Sequence, residues 1–250
     1  MPKLLAVCIF LVVLFFLYLS YSSILTLPPL KYSEYNTKTV KCDACKEGYD
    51  VHREHHDPEQ AAKLIAEINS RNQRLIDHMR SKYLHNPNPG WSPEKSGAID
   101  VIPAAEIFSE KSSAATNEFL QDRVSQLINN YESDNISEIS PLNSKGNTSY
   151  TENKKHLVLC LRRKTPDAAG LYQLHDINTM MFVVVHELSH MMNNGFGHTE
   201  GPRGFWSLFK FMLENAVEAG IYTPVDYSKQ PILYCGLLLT YNPLFGVSEH

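Results

Sequence analysis

The apolar residues of this chain fall into one long block and several shorter periodic ones. The block runs from Leu4 to Leu27, LLAVCIFLVVLFFLYLSYSSILTL, and carries no charged residue. At a helical rise of ~1.5 Å per residue, such a run covers the ~30 Å hydrocarbon core of a bilayer. Residues 1–27 are therefore read as a single transmembrane anchor. A cleaved signal peptide is the rival reading, with Lys3 ahead of the run and Ser20, Ser22 and Ser23 as small residues for a peptidase. The bulky Leu, Tyr and Ile that persist to its end argue for retention. Residues 28–56 are polar and contain proline, as expected of a juxtamembrane stalk.

From Asp57 onward the spacing becomes helical. Asp57 is placed to cap, Pro58 to occupy the first helical position and Gln60 to complete a capping box. Ala61, Ile65, Ile68, Leu75, Met79 and Tyr83 then carry a helix to about Leu84. Asn86 to Gly97, NPNPGWSPEKSG, is a loop by composition. A second helix is expected around Asn117 to Tyr131, where Leu120, Val124, Leu127, Ile128 and Tyr131 share a face. Glu132 to Lys155 is rich in Ser and Asn and reads as an exposed loop or flap. His156 to Leu161, HLVLCL, is a short apolar run bounded by charges and predicts a strand. Asp176 caps a further helix that Gly195 or Gly197 should end. Gly204 to Ala219 predicts the last, with Phe205, Leu208, Phe209, Met212 and Ala216 on one side. Residues 57–250 thus read as one α+β domain with a small sheet.

Charge narrows the partners. The net charge is −4 and no long basic run occurs, so no nucleic-acid partner is expected. Lys31, Lys38 and Lys41 after the apolar block favour a cytoplasmic domain by the positive-inside rule. The sequons at Asn135 and Asn147 point to the opposite side, so the domain's side of the membrane stays open. Of the five cysteines, Cys42 and Cys45 form a CxxC ahead of His52, His55 and His56. A disulfide, two thiols or a second zinc site would each fit. Cys160 and Cys235 sit in apolar surroundings, where small buried side chains belong.

The densest chemistry lies in Met181 to Trp206, where three of the eleven histidines fall within thirteen residues. His186-Glu187-Leu188-Ser189-His190 is HExxH. On a helix, residues four apart share a face, so both imidazoles reach one zinc ion and leave Glu187 beside it as general base. Apolar neighbours on nearly all sides mean that two His and a Glu without a partner would cost several kcal/mol. A catalytic zinc needs a third protein ligand and an open position. His198, beyond two glycines that let the chain turn back, is favoured; Glu200 and Glu214 are the rivals. Tyr222, Tyr227, Tyr234 and Arg203 are candidates for stabilising an oxyanion.

HELSH followed by GFGHT and an aromatic pair on a helix resembles the WLM and SprT-like metallopeptidases. The strand HLVLCLR and the approach HDINTMMFVVV look like their entry into the active-site helix. Val158 to Pro243 is similar to the membrane-anchored WLM-like proteins encoded by large DNA viruses. The resemblance implies a zincin-like fold, His186, His190 and His198 as zinc ligands, and Glu187 as catalytic base acting on a protein or peptide substrate. It departs from the pattern at Glu200 to Gly204, which separates His198 from Phe205 like a small insertion. The expectation is a single-pass, membrane-anchored zinc metallopeptidase. The alternative is a structural or virion membrane protein whose zinc serves folding only.

Overall fold

A computed structural model describes residues 37–42, 48–85, 113–139, 148–195, 197–199 and 203–246. The apolar run Leu4 to Leu27 and the loop Asn86 to Gly97 lie outside them. Among the described residues, no helix is long and apolar enough to cross a membrane.

Among the described residues, four α-helices and a mixed sheet form the unit that begins at Asn36. Strands β1 (Thr37–Val40) and β2 (Tyr49–His52) come first, then helix α1 (Pro58–Met79), which continues as a π-helical turn over Arg80–Leu84. Helix α2 (Ser113–Asn130) precedes β3 (Ile136–Glu138), β4 (Tyr150–Glu152) and β5 (His156–Leu159). Helices α3 (Ile177–Met192) and α4 (Phe205–Glu218) follow, and a hairpin of β6 (Ile232–Tyr234) and β7 (Leu237–Leu239) comes last. The five-stranded sheet has the order β1-β2-β3-β5-β4. Its three inner strands are mutually parallel, and both edge strands pair antiparallel.

The four helices predicted from Asp57 onward are present, because apolar positions every three or four residues need only local geometry to form a buried stripe. The sheet differs from expectation. β1 and β2 come from the segment read as a stalk, and β3 and β4 from the one read as a flap. β3 is the middle strand of the sheet, and all three of its residues are buried. Its polarity is offset by partners far away in sequence. Glu138 accepts from Arg162 Nε and from the His52 amide, both at 2.8 Å, while Ser137 Oγ meets His156 Nε2 at 2.9 Å.

Arg162 also explains the start of α1. Pro58 sits in the first turn, but the Asp57 side chain makes no cap bond. Its carboxylate faces the Arg162 guanidinium at 2.5 Å, which links the start of α1 to the segment after β5.

The β6–β7 hairpin turns on Cys235 and Gly236, both with positive φ (47° and 87°), the geometry of a type I′ turn. Cys235 is joined by a disulfide to Cys160, with the Cα atoms 6.3 Å apart. The two buried cysteines expected as separate small side chains are therefore one cross-link.

Candidate metal centre

Helix α3 carries the site, and its burial is one-sided in an informative way. Asp176 starts it, accepting from the Thr179 amide at 2.9 Å. From Thr179 to Met192 every residue is buried except His186 and His190. α3 packs against α1, α2, α4 and β4. Two imidazoles four residues apart thus look out through one opening in an otherwise sealed helix. The helix stops at Met192, with Asn193 extended, so its end precedes Gly195. Gly197 adopts φ 69°, a conformation suited to glycine, as the chain turns back.

That turn delivers His198. Its Nε2 lies 3.0 Å from His186 Nε2. The ring centroids of His186, His190 and His198 make a near-equilateral triangle with sides of 5.0, 4.9 and 5.0 Å. Their ligand atoms all lie within 4.8 Å of one another. Two nitrogens bound to one tetrahedral zinc at ~2.05 Å would stand about 3.3 Å apart, so the donor set fits such an ion. Of the rivals, Glu200 lies outside the described residues, and Glu214 is not part of the cluster.

α4 forms one wall. Phe205 stacks on His190 with centroids 4.2 Å apart and lies 4.8 Å from His186. Trp206 lies 5.3 Å from His198 and 5.8 Å from Tyr241. The Phe205 amide donates to the Thr199 carbonyl at 2.9 Å, tying the residue after His198 to the start of α4. The five residues from Glu200 to Gly204 therefore do not separate His198 from the aromatic pair in space.

Electrostatics leaves the three imidazoles unprotonated near neutral pH. Burial, then the neighbouring His190 and His198, pushes His186 down to about 3. Burial and His198 bring His190 to about 4, and burial lowers His198. Neutral imidazoles are the form that donates a lone pair to a metal. Glu187 is buried, which pushes its carboxyl up to about 7, while hydrogen bonds from Thr151 pull the other way. The Thr151 hydroxyl lies 3.0 Å from Glu187 Oε2. No motif in the sequence marks Thr151, which lies in a segment of Ser, Thr and Asn.

The remaining candidates have partners outside the histidine triangle, although Tyr234 lies near enough to Glu187 to feel its charge. Tyr234 OH meets Ser149 Oγ at 2.5 Å and donates to the Cys160 carbonyl at 2.9 Å. Tyr222 accepts from Asn242 at 3.0 Å, and Tyr227 packs edge-on against Phe182. The Arg203 guanidinium lies over Phe119 on α2. His52 and His55 have ring centroids 4.8 Å apart, and Cys42 is disulfide-bonded. Among the described residues, no second group of three metal-ligating side chains occurs. Cys45 lies outside them.

Comparison with known proteins gives partial similarity. The chain is 40% identical over 94 residues to an uncharacterised protein of Acanthamoeba polyphaga mimivirus, covering 37% of this chain and 43% of that one. It is 36% identical over 78 residues to an uncharacterised protein of Invertebrate iridescent virus 6, covering 31% and 40%. A third, from Invertebrate iridescent virus 3, is 36% identical over 91 residues, covering 36% and 50%. The aligned stretch thus spans half or less of each relative. No family model matches the chain, and no solved structure matches it.

Proposed function

We propose that this chain is a zinc-dependent metallopeptidase of the WLM/SprT-like, zincin type, held at a membrane by Leu4 to Leu27. The observation that carries the reading is the triangle of three neutral imidazoles at the single opening of α3, with the Glu187 carboxylate on the same helix. His186, His190 and His198 would hold the ion. Zinc bound there supplies a Lewis acid that activates water and polarises a carbonyl. Glu187 accepts a proton from the attacking water and returns it to the leaving amine, a role suited to a carboxyl lifted towards neutrality by burial. The rings of Phe205 and Trp206 form the apolar side of the site. A purely structural zinc has no use for a carboxylate beside its ligands, so Glu187 favours catalysis over a folding role.

The Cys160–Cys235 disulfide supports a domain facing an oxidising compartment, since such bonds are rare where thiols are kept reduced.

The test uses the full chain in detergent. Metal analysis should give about one zinc per chain, and a denatured protein such as casein should be cleaved. Glu187→Gln should keep the zinc and the melting temperature while activity falls by ~10²–10⁴-fold. A Glu187→Gln protein as active as the parent would leave only the structural-zinc reading.

A further inference from the structure

We infer that Thr151, on edge strand β4, is a positioning residue that fixes the Glu187 carboxylate for proton transfer; the inference rests on the metallopeptidase reading. The Thr151 hydroxyl lies 3.0 Å from Glu187 Oε2 and 3.2 Å from the Glu187 carbonyl oxygen. It has one proton to give, and the carboxylate is the stronger acceptor of the two. One carboxylate oxygen is thereby tied to the sheet, and the other is left to take a proton. A glutamate has three side-chain torsions, and a misplacement of about 1 Å at a reacting group can cost ~10²-fold in rate. A fixed donor on Oε2 removes much of that freedom before substrate arrives.

The donor can do this only if β4 is itself held still. A three-residue edge strand has one neighbour, here β5, with Thr151 opposite Leu157. Side-chain bonds on both sides of Thr151 supply the rest. Ahead of it, Ser149 Oγ accepts from the Cys160 amide at 2.9 Å and meets the Tyr234 hydroxyl. Behind it, Lys154 Nζ donates to the Asn193 carbonyl at the end of α3 and reaches the Gly195 carbonyl at 3.5 Å. Lys154 and its neighbour Asn153 have positive φ (58° and 51°), which places the lysine in the β4–β5 turn. β4 is thus bound to β5, to the hairpin and to the end of α3. Thr151 sits between these attachments, opposite the glutamate.

The experiment compares Thr151→Val, Thr151→Ser and Glu187→Gln in the full, zinc-loaded chain. Valine keeps the β-branched shape and removes the hydroxyl; serine restores a hydroxyl. Two readouts are taken: kcat and KM on denatured casein, and affinity for acetohydroxamate, whose polar atoms need a correctly placed carboxylate beside the metal. Thr151→Val should keep zinc stoichiometry and KM, with kcat about 10- to 100-fold lower and acetohydroxamate about tenfold weaker. Thr151→Ser should recover most of both. The assignment is overturned if Thr151→Val matches the parent in both readouts, or if serine restores neither. If Glu187→Gln is as active as the parent, the metallopeptidase reading itself fails, and the role given to Thr151 falls with it.

Discussion

His198 is the most exposed of the three histidines and the one supplied by a loop rather than by α3. Its contribution to the fold should be small and its contribution to the metal large. His198→Ala is expected to leave the metal-free melting temperature nearly unchanged while weakening zinc binding by at least ~100-fold. Even outer partners of metal ligands are worth 10–100-fold, which sets that floor. Competition against a chromophoric chelator measures it. If Glu214→Ala weakened zinc as much and His198→Ala did not, the third ligand would be the carboxylate. How much of the site was legible in the sequence follows from the same geometry. His186 and His190 stand at a fixed helical interval, so the motif alone places them together. His198 needs the path of a glycine-containing turn, and the sequence could only rank it above Glu200 and Glu214. Thr151 lies thirty-six residues before Glu187 in a polar segment, and its meeting with the carboxylate depends on the pairing of β4 with β5.

The strands show why the sheet was harder to read than the helices. α1, α3 and α4 announce themselves by apolar spacing that needs no distant partner. β3 reads Ile-Ser-Glu, yet it is the central strand, because Arg162, His52 and His156 satisfy its polar atoms from other parts of the chain. The buried Arg162–Glu138 pair is accordingly a point where the sheet can be broken. Arg162→Met would strand the Glu138 carboxylate and leave Asp57 without its cation. A loss of about 3–5 kcal/mol is expected, as when one partner of a buried pair is removed. Replacing Glu138 by Leu in the same chain should recover part of it, since the orphaned charge is then gone. Urea midpoints of the two variants check this; equal midpoints for the parent and Arg162→Met would refute it.

For the folded unit taken together, acid is the expected weakness. Burial, together with nearby Arg162 and His52, holds His55 down to about 4; burial and Arg163 do the same to His175. Unfolded histidine titrates near 6.5, so below that pH the unfolded chain binds protons that these buried rings refuse. The stability they lend is complete above about 6.5 and is lost as pH falls towards 4, on the order of 3 kcal/mol for His175 and less for His55, whose ring is better screened by solvent. A urea midpoint followed over that range in chelator should fall steeply, His186 and His190 of the metal-free site adding to the loss; a flat profile would contradict the burial of these rings. The Cys160–Cys235 bond bears on a different kind of loss. It closes a ring of chain that contains all of α3 and α4, and with them His186, Glu187, His190 and His198. Under the activity proposed above, copies of the chain would be able to cut one another, and the connection between α3 and α4 lies inside the ring. One scission anywhere inside that ring leaves both pieces fastened to each other, so the nicked protein stays a single molecule until a reductant parts them.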